Sequence, residues 1–148
     1  MRGLIALAVL VTSPAFAAAD GAAIYKRCAA CHLPTGAGVP GAFPPLGADF
    51  ATLVKAPAGR RYAILGVIKG ISGPVTVGGK PFRGNMPAQA GLDDDAVAAV
   101  LNHVALTIAK VGKGFVAFTP AEVAKVRASG ASLNSAAVGQ MHGAAGGK

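Results

Sequence analysis

The apolar residues that follow Asp93 recur at the spacing of an α-helix. They are Val97, Val100, Leu101, Val104 and Ile108. This spacing places them on one face, which can pack on a core while the opposite face meets solvent. Asp94 and Asp95 would lie in the first turn, where the helix dipole favours acidic side chains. The pattern therefore predicts an amphipathic helix that begins after Asp93.

A first helix is predicted near the start of the chain, with Asp20 as its N-cap. Gly21, Tyr25 and Cys28 fall at positions i, i+4 and i+7, which lie on one face of that helix. Because glycine has no side chain, Gly21 would let another helix approach this face closely.

Two further helices are predicted from the residues at their ends. One covers residues 60–69 and ends at Gly70, since glycine is favoured just past the last helical turn. The other covers residues 119–128 and opens with Thr119 as the N-cap, a proline at the first helical position and Glu122 in a capping box.

Three other segments lack a helical pattern. Residues 33–46 are rich in proline and glycine, which predicts a loop. Residues 75–82 hold two short β-prone pieces around a Gly-Gly turn and predict a small hairpin. Residues 129–148 are rich in Ala, Gly and Ser without periodicity, and we expect them to form a flexible tail.

Residues 1–19 have the pattern of a secretory signal peptide. Arg2 supplies the positive charge, residues 4–11 are apolar, and small residues in A-x-A order follow Pro14. The apolar run is shorter than the ~20 residues that span a bilayer, although an uncleaved anchor is the alternative. No membrane span is predicted further on. We therefore expect export to a bacterial periplasm, a domain over residues 20–128 with its core at about 20–109, and the tail beyond it.

The charge balance of the chain is basic. It has 14 Lys and Arg against 6 Asp and Glu, a formal charge of +8. Such a charge is compatible with nucleic acid, an anionic membrane or an acidic protein partner. The basic residues form no run of five and are not interleaved with aromatic residues. Nucleic acid is therefore the least favoured of the three partners.

The most specific motif is Cys28-Ala29-Ala30-Cys31-His32. C-x-x-C-H is the attachment signature of c-type haem, in which two thiols bind the porphyrin and the adjacent imidazole can bind the iron. A thioredoxin-like redox pair would not need the histidine, and a zinc site would need two more soft ligands. The low aromatic content of 5% agrees with haem, because a buried macrocycle would supply apolar mass that the core lacks.

The sixth position of the iron has four candidate ligands. Met86 lies between turn-forming residues in Gly84-Asn85-Met86-Pro87, where a methionine has less reason to serve as core filler. His103 falls on the helix after Asp93 and is expected to be a partly buried packing residue. Met141 and His142 fall in the predicted tail, and ordering that tail would cost entropy. We therefore predict Met86 as the second axial ligand.

The order of these motifs resembles that of class I cytochromes c. The resemblance covers about residues 20–108 and is carried by Gly21-x-x-x-Tyr25-x-x-Cys28-x-x-Cys31-His32, Pro44-x-Leu46, Met86-Pro87 and Leu92-x-Asp94-x-x-Val97-Ala98-Ala99. The segment from Val75 to Pro87 is similar to the haem domains of cytochrome subunits that serve periplasmic alcohol and aldehyde dehydrogenases.

The resemblance implies an all-α fold around one covalent haem c, with a small hairpin before the methionine loop. It implies that the first and last family helices cross at their small-residue faces. It also implies that a proline carbonyl accepts the His32 ring N–H, and this matches Pro44; on the residues alone, the prolines could equally stiffen a surface loop. Pro44, Leu46 and Tyr62 are expected to line the haem pocket. His103 is a departure, since the family usually carries an aromatic residue there.

These features favour a carrier of single electrons between a periplasmic dehydrogenase or respiratory complex and a terminal acceptor. A haem enzyme or a gas-binding protein would need an open sixth position, and the sequence shows no distal base to support one. Four basic residues precede the two ligand segments and are expected to form a docking face for redox partners. They are Lys26, Arg27, Lys80 and Arg83.

Overall fold

A computed structural model describes residues 18–148 of the chain. Most of the predicted signal peptide, residues 1–17, lies outside the described residues. The helices are α1 Gly21–His32, α2 Ala48–Leu53, α3 Pro57–Lys69, α4 Asp94–His103, α5 Pro120–Ser129 and α6 Ser135–Ala144, with the strands β1 Val75–Val77 and β2 Lys80–Phe82. The prediction of an all-α fold with one small hairpin is confirmed. Within residues 18–148, no helix has the length and apolar character needed to cross a membrane.

Helices α1 and α4 cross closely, as the small residue at the start of α1 predicted. The Asp20 carboxylate caps α1 by accepting the backbone N–H groups of residues 22 and 23. A Cβ atom on Gly21 would collide with the carbonyl of Ala99 in α4, so only glycine permits this approach. One turn further on, the rings of Tyr25 and His103 pack with their centroids 5.4 Å apart. His103 is partly buried at this crossing, as expected.

The centre of the molecule is formed by α3 and α4. Ile64 and Leu65 of α3 are fully buried, and so is Val97 of α4. The apolar stripe of α4 continues into one π-helical turn, Val104–Ile108. The Asp93 side chain caps α4 by accepting the N–H of Ala96, as its position before the apolar stripe indicated.

The hairpin and the last predicted helix are present. β1 and β2 pair antiparallel, with Val75 opposite Phe82, and the apolar side chains of the hairpin face inward. α5 begins after Thr119, whose hydroxyl accepts the N–H of Glu122. Arg60 of α3 binds the Glu122 carboxylate and lies 3.9 Å from the centre of the Phe118 ring. These contacts hold α5 against α3.

The prediction of a flexible tail over residues 129–148 was wrong. Asn134 caps a sixth helix, α6, which packs on α3 and on β1. Gly139 brings α6 against the carbonyl of Ser72, where a larger residue would collide, and the hydroxyls of Ser72 and Ser135 are 3.0 Å apart. Because Val138 and Met141 are its only large apolar side chains, α6 depends on these tertiary contacts and carries no periodic pattern. Helix α2, which falls after the predicted loop, was also not predicted.

Candidate functional site

A deep cavity opens between α1, α3, α4, the loop over residues 33–46 and the segment over residues 75–87. Its walls are mainly apolar. All seven predicted site residues lie on these walls. They are Cys28, Cys31, His32, Pro44, Leu46, Tyr62 and Met86.

The last turn of α1 carries both thiols and the imidazole. Cys28 and Cys31 are free, partly buried thiols on the cavity wall. Burial raises the pKa of the Cys28 thiol, while the neighbouring Arg27 guanidinium acts in the opposite direction. Position 32 ends the helix, because Leu33 has a positive φ of 64°. The helix therefore delivers two sulfur atoms and one imidazole to the same wall.

The orientation of the His32 ring is fixed by a hydrogen bond. Its Nδ1 lies 2.9 Å from the carbonyl oxygen of Pro44. Since a carbonyl can only accept, Nδ1 carries the proton and Nε2 keeps its lone pair. Burial lowers the pKa of His32, an effect that the bond to Pro44 partly opposes, so the ring is neutral at neutral pH. A neutral imidazole with one unprotonated nitrogen is the form that binds a metal.

Glycine lets the loop over residues 33–46 fold back onto His32. Gly38 has a φ of +67°, and a Cβ there would collide with the carbonyls of Phe43 and Pro44. The Gly38 N–H donates to the His32 carbonyl at 3.0 Å, and the Leu46 N–H donates to the Gly36 carbonyl at 2.8 Å. The loop is therefore closed on the end of α1, and this places the Pro44 carbonyl at the imidazole.

The loop that carries Met86 is held on two sides. Met86 and Ile71 exchange two backbone hydrogen bonds of 2.9 Å each. The Gly84 N–H donates to the Ala42 carbonyl at 2.9 Å, and a side chain on Gly84 would collide with that carbonyl and with the Phe43 ring. The thioether thus belongs to a backbone fixed relative to both α3 and the loop that holds His32.

Of the other candidate ligands of the iron, only one lies on the cavity wall. His103 packs on Tyr25 at the helix crossing and does not line the cavity, and neither does Met141. His142 does line it, as an almost fully buried residue of α6. The reason given for excluding Met141 and His142, a disordered tail, was therefore wrong. His142 had no local sequence signal, because its partner Asp49 is 93 residues away.

The four basic residues, Lys26, Arg27, Lys80 and Arg83, are all exposed. Arg27 also lines the cavity, with Lys26 beside it in α1. Lys80 and Arg83 bracket Phe82, whose buried side chain forms part of the cavity wall. Positive charge therefore occurs both on the helix that carries the thiols and on the hairpin before Met86.

This set of donors fits a haem. The apolar walls suit a porphyrin, the two thiols have the spacing of thioether attachment, and an unprotonated imidazole nitrogen is available beside them. The thioether of Met86 belongs to the same cavity. Among residues 18–148, no cluster of three or more His, Cys, Asp or Glu residues could hold a separate metal ion.

Comparisons with known proteins agree with the assignment of a haem site. A family model described as cytochrome c matches residues 18–107. The chain is 46% identical over 122 residues to a protein named cytochrome c-552 from Thermus thermophilus, an alignment that covers 81% of this chain and 82% of that protein. A second cytochrome c-552 of Thermus thermophilus is 47% identical over 112 residues, covering 74% of this chain and 86% of the other.

Proposed function

This chain belongs to the cytochrome c family, and from that premise we propose that it is exported to the periplasm and carries single electrons there between a dehydrogenase or respiratory complex and a terminal acceptor. It is a class I monohaem c-type cytochrome, an electron carrier and not an enzyme. Its cofactor is covalently bound haem c. When bound, the haem supplies an iron that takes up and releases one electron.

In this proposal, each residue at the end of α1 has one role. Cys28 and Cys31 hold the porphyrin through thioether bonds, and His32 binds the iron through Nε2. Pro44 keeps the imidazole in the required orientation and tautomer by accepting its Nδ1 proton. The single observation that carries the assignment is this bond of 2.9 Å beside two free thiols.

Met86 is proposed as the second axial ligand. The backbone bonds to Ile71 and the contact of Gly84 with Ala42 support this role, because they hold the thioether on the cavity wall. A fixed ligand reduces the rearrangement that accompanies electron transfer. Leu46 and Tyr62, also on the walls, exclude water from the site. His/Met ligation also favours the ferrous state and raises the reduction potential.

The absorption spectrum tests the ligand assignment. Met86→Ala should abolish the thioether-to-ferric-iron band, lower the potential and allow carbon monoxide to bind the ferrous protein. Met141→Ala is the matched control, because Met141 is partly buried and lies outside the cavity. Loss of the band in the Met141 variant alone would overturn the assignment. Carbon monoxide binding by the unmodified protein would favour a gas-binding function instead.

Lys26, Arg27, Lys80 and Arg83 are proposed to form the docking face for an acidic redox partner. Their exposure and the position of Arg27 on the cavity wall support this role. A positive rim would steer the encounter and act mainly on the association rate. The expected result of reversing Lys26 and Arg27 to Glu is a slower second-order reduction, with a weaker dependence on ionic strength.

The controls for this experiment must be charges without structural roles. Arg60 and Arg61 lie outside the proposed face, but Arg60 binds Glu122 and Arg61 contacts Ser129, so their reversal would disturb the fold. Lys113 and Lys125 are exposed and are better controls. An equal loss of rate on reversing Lys113 and Lys125 would show that net charge, and not the proposed face, is responsible.

Export is proposed from residues 1–19 together with the A-x-A ending. Intact-mass measurement of the protein recovered from the periplasm tests it. The mass should equal that of a chain beginning at or near Asp20 plus one haem. A chain that retains its first 19 residues would contradict cleavage.

A further inference from the structure

The last helix reaches the haem cavity from outside the region that the family model matches. That match ends at residue 107, whereas α6 comprises Ser135–Ala144. His142 of α6 is only 6% exposed and lines the cavity. The cavity therefore has a wall residue from a part of the chain that the family pattern does not include.

His142 is bound to a second wall residue, Asp49 of α2. The Nε2 N–H of His142 donates to Oδ2 of Asp49 at 2.8 Å, and both side chains are about nine-tenths buried. The other carboxylate oxygen accepts the backbone N–H of Lys148 at 2.7 Å. One carboxylate thus anchors both α6 and the residues that follow it.

Tyr62 completes this contact on the α3 side. Its ring meets the His142 ring edge-on, with centroids 5.3 Å apart and planes at 68°. Burial, and to a lesser extent the Asp49 carboxylate, raises the pKa of the Tyr62 hydroxyl, so the phenol stays neutral. The three residues come from α2, α3 and α6, and they join these helices at the cavity wall.

Because burying polar groups is costly, this contact determines whether α6 stays packed on the cavity wall. A buried carboxylate or imidazole without a partner is strongly unfavourable. Only Val138 among the α6 side chains is completely buried and apolar. If the bond between His142 and Asp49 is lost, exposure to water becomes favourable for both side chains. α6 has few apolar contacts that would keep it packed on the core against this tendency. Water would then enter the cavity from this side.

We propose that the His142–Asp49 bond closes the haem cavity on the C-terminal side and thereby keeps the reduction potential high. The inference rests on the proposed function, since it requires haem in this cavity. Ferric haem carries one more positive charge than ferrous haem, and water stabilises the more highly charged form. Solvent access is one of the means by which a protein sets a redox potential. His142 and Asp49 act as positioning residues, because they close the wall.

The test compares variants of the complete haem-loaded protein. His142→Ala removes the bond. His142→Gln keeps an amide N–H near the position of Nε2 and is the conservative variant. Arg127→Ala breaks a contact between helices that is more exposed and lies outside the cavity wall, since Arg127 joins α5 to Asp94 at 2.8 Å and neither residue lines the cavity. Should the alanine variant of His142 fail to fold, His142→Leu, which preserves apolar bulk, takes its place.

Three measurements separate the possible causes. A pyridine haemochrome spectrum first establishes one covalent haem per chain, and its absence from the unmodified protein would refute the proposed function itself. The reduction potential and the amide hydrogen exchange of α6 are then measured. We expect His142→Ala to lower the potential and speed exchange in α6. His142→Gln should stay near the unmodified protein in both, and Arg127→Ala should lower Tm without changing the potential.

Two results would overturn the inference. If His142→Gln lowers the potential as much as His142→Ala does, the imidazole acts through its own charge and not by closing the wall. If His142→Ala changes the potential no more than Arg127→Ala does, α6 has no part in the haem environment.

Discussion

The crossing of α1 and α4 makes a quantitative prediction at Gly21. Gly21→Ala would place a methyl group against the Ala99 carbonyl and 3.0 Å from Cβ of His103. The Ala99 carbonyl is a backbone group, which cannot rotate away as a flexible side chain can. The two helices must therefore separate, and this loosens the contact between Tyr25 and His103 that follows one turn later.

The expected change in the free energy of unfolding is the difference between two contributions. Alanine in place of glycine restricts the unfolded chain and gains about 0.4–1 kcal/mol. Overpacking at a close contact costs about 1–3 kcal/mol. The net loss in the free energy of unfolding therefore lies between about 0 and about 2.6 kcal/mol, with a midpoint of about 1.3 kcal/mol. The midpoint corresponds to a fall in Tm of roughly 4–7 °C for a chain of this size.

The assay is denaturant unfolding of the haem-loaded protein, followed by far-ultraviolet circular dichroism. Gly143→Ala is the matched control, because Gly143 also lies in a helix but has no atom within 4 Å of the added methyl group. The same chemical change should raise stability by about 0.4–1 kcal/mol at that position. If Gly21→Ala raises stability as much as Gly143→Ala does, the close crossing does not exist in solution.

One truncation and two substitutions test separate contacts. Truncation after Ala128 removes α6 and should lower Tm clearly, as measured by calorimetry; an unchanged Tm would support the prediction that residues 129–148 form a flexible tail. Asn102→Ala removes two hydrogen bonds to the Phe118 backbone, of 3.0 and 2.7 Å, and should cost about 1–2 kcal/mol in denaturant unfolding because those partly buried groups lose their partner; a cost near zero would mean that water replaces the amide. Gly84→Ala should displace the Met86 loop and weaken the thioether-to-iron band before the fold is lost, whereas Gly91→Ala, at an open position, should leave the band intact.

The features that the sequence predicted correctly are those with local signals. α4 has an apolar stripe behind a capping Asp93, and α5 has the capping box at Thr119. The predicted contact of His32 with Pro44 spans only 12 residues, and glycines in between allow the return of the chain. The seven site residues were therefore predicted to lie together, and they do. Their roles toward the haem stay proposals.

The features that were missed depend on residues far apart in the chain. α6 has an N-cap, Asn134, but no apolar stripe follows it, so composition alone indicated disorder. What orders α6 is its packing on α3, the Ser72–Ser135 contact and the His142–Asp49 bond, and each joins residues more than 60 positions apart. A histidine in an Ala/Gly-rich segment carries no sign of such a partner. Because one of these contacts, the His142–Asp49 bond, lies in the wall of the haem cavity, a change at that wall also changes the stability of the last helix.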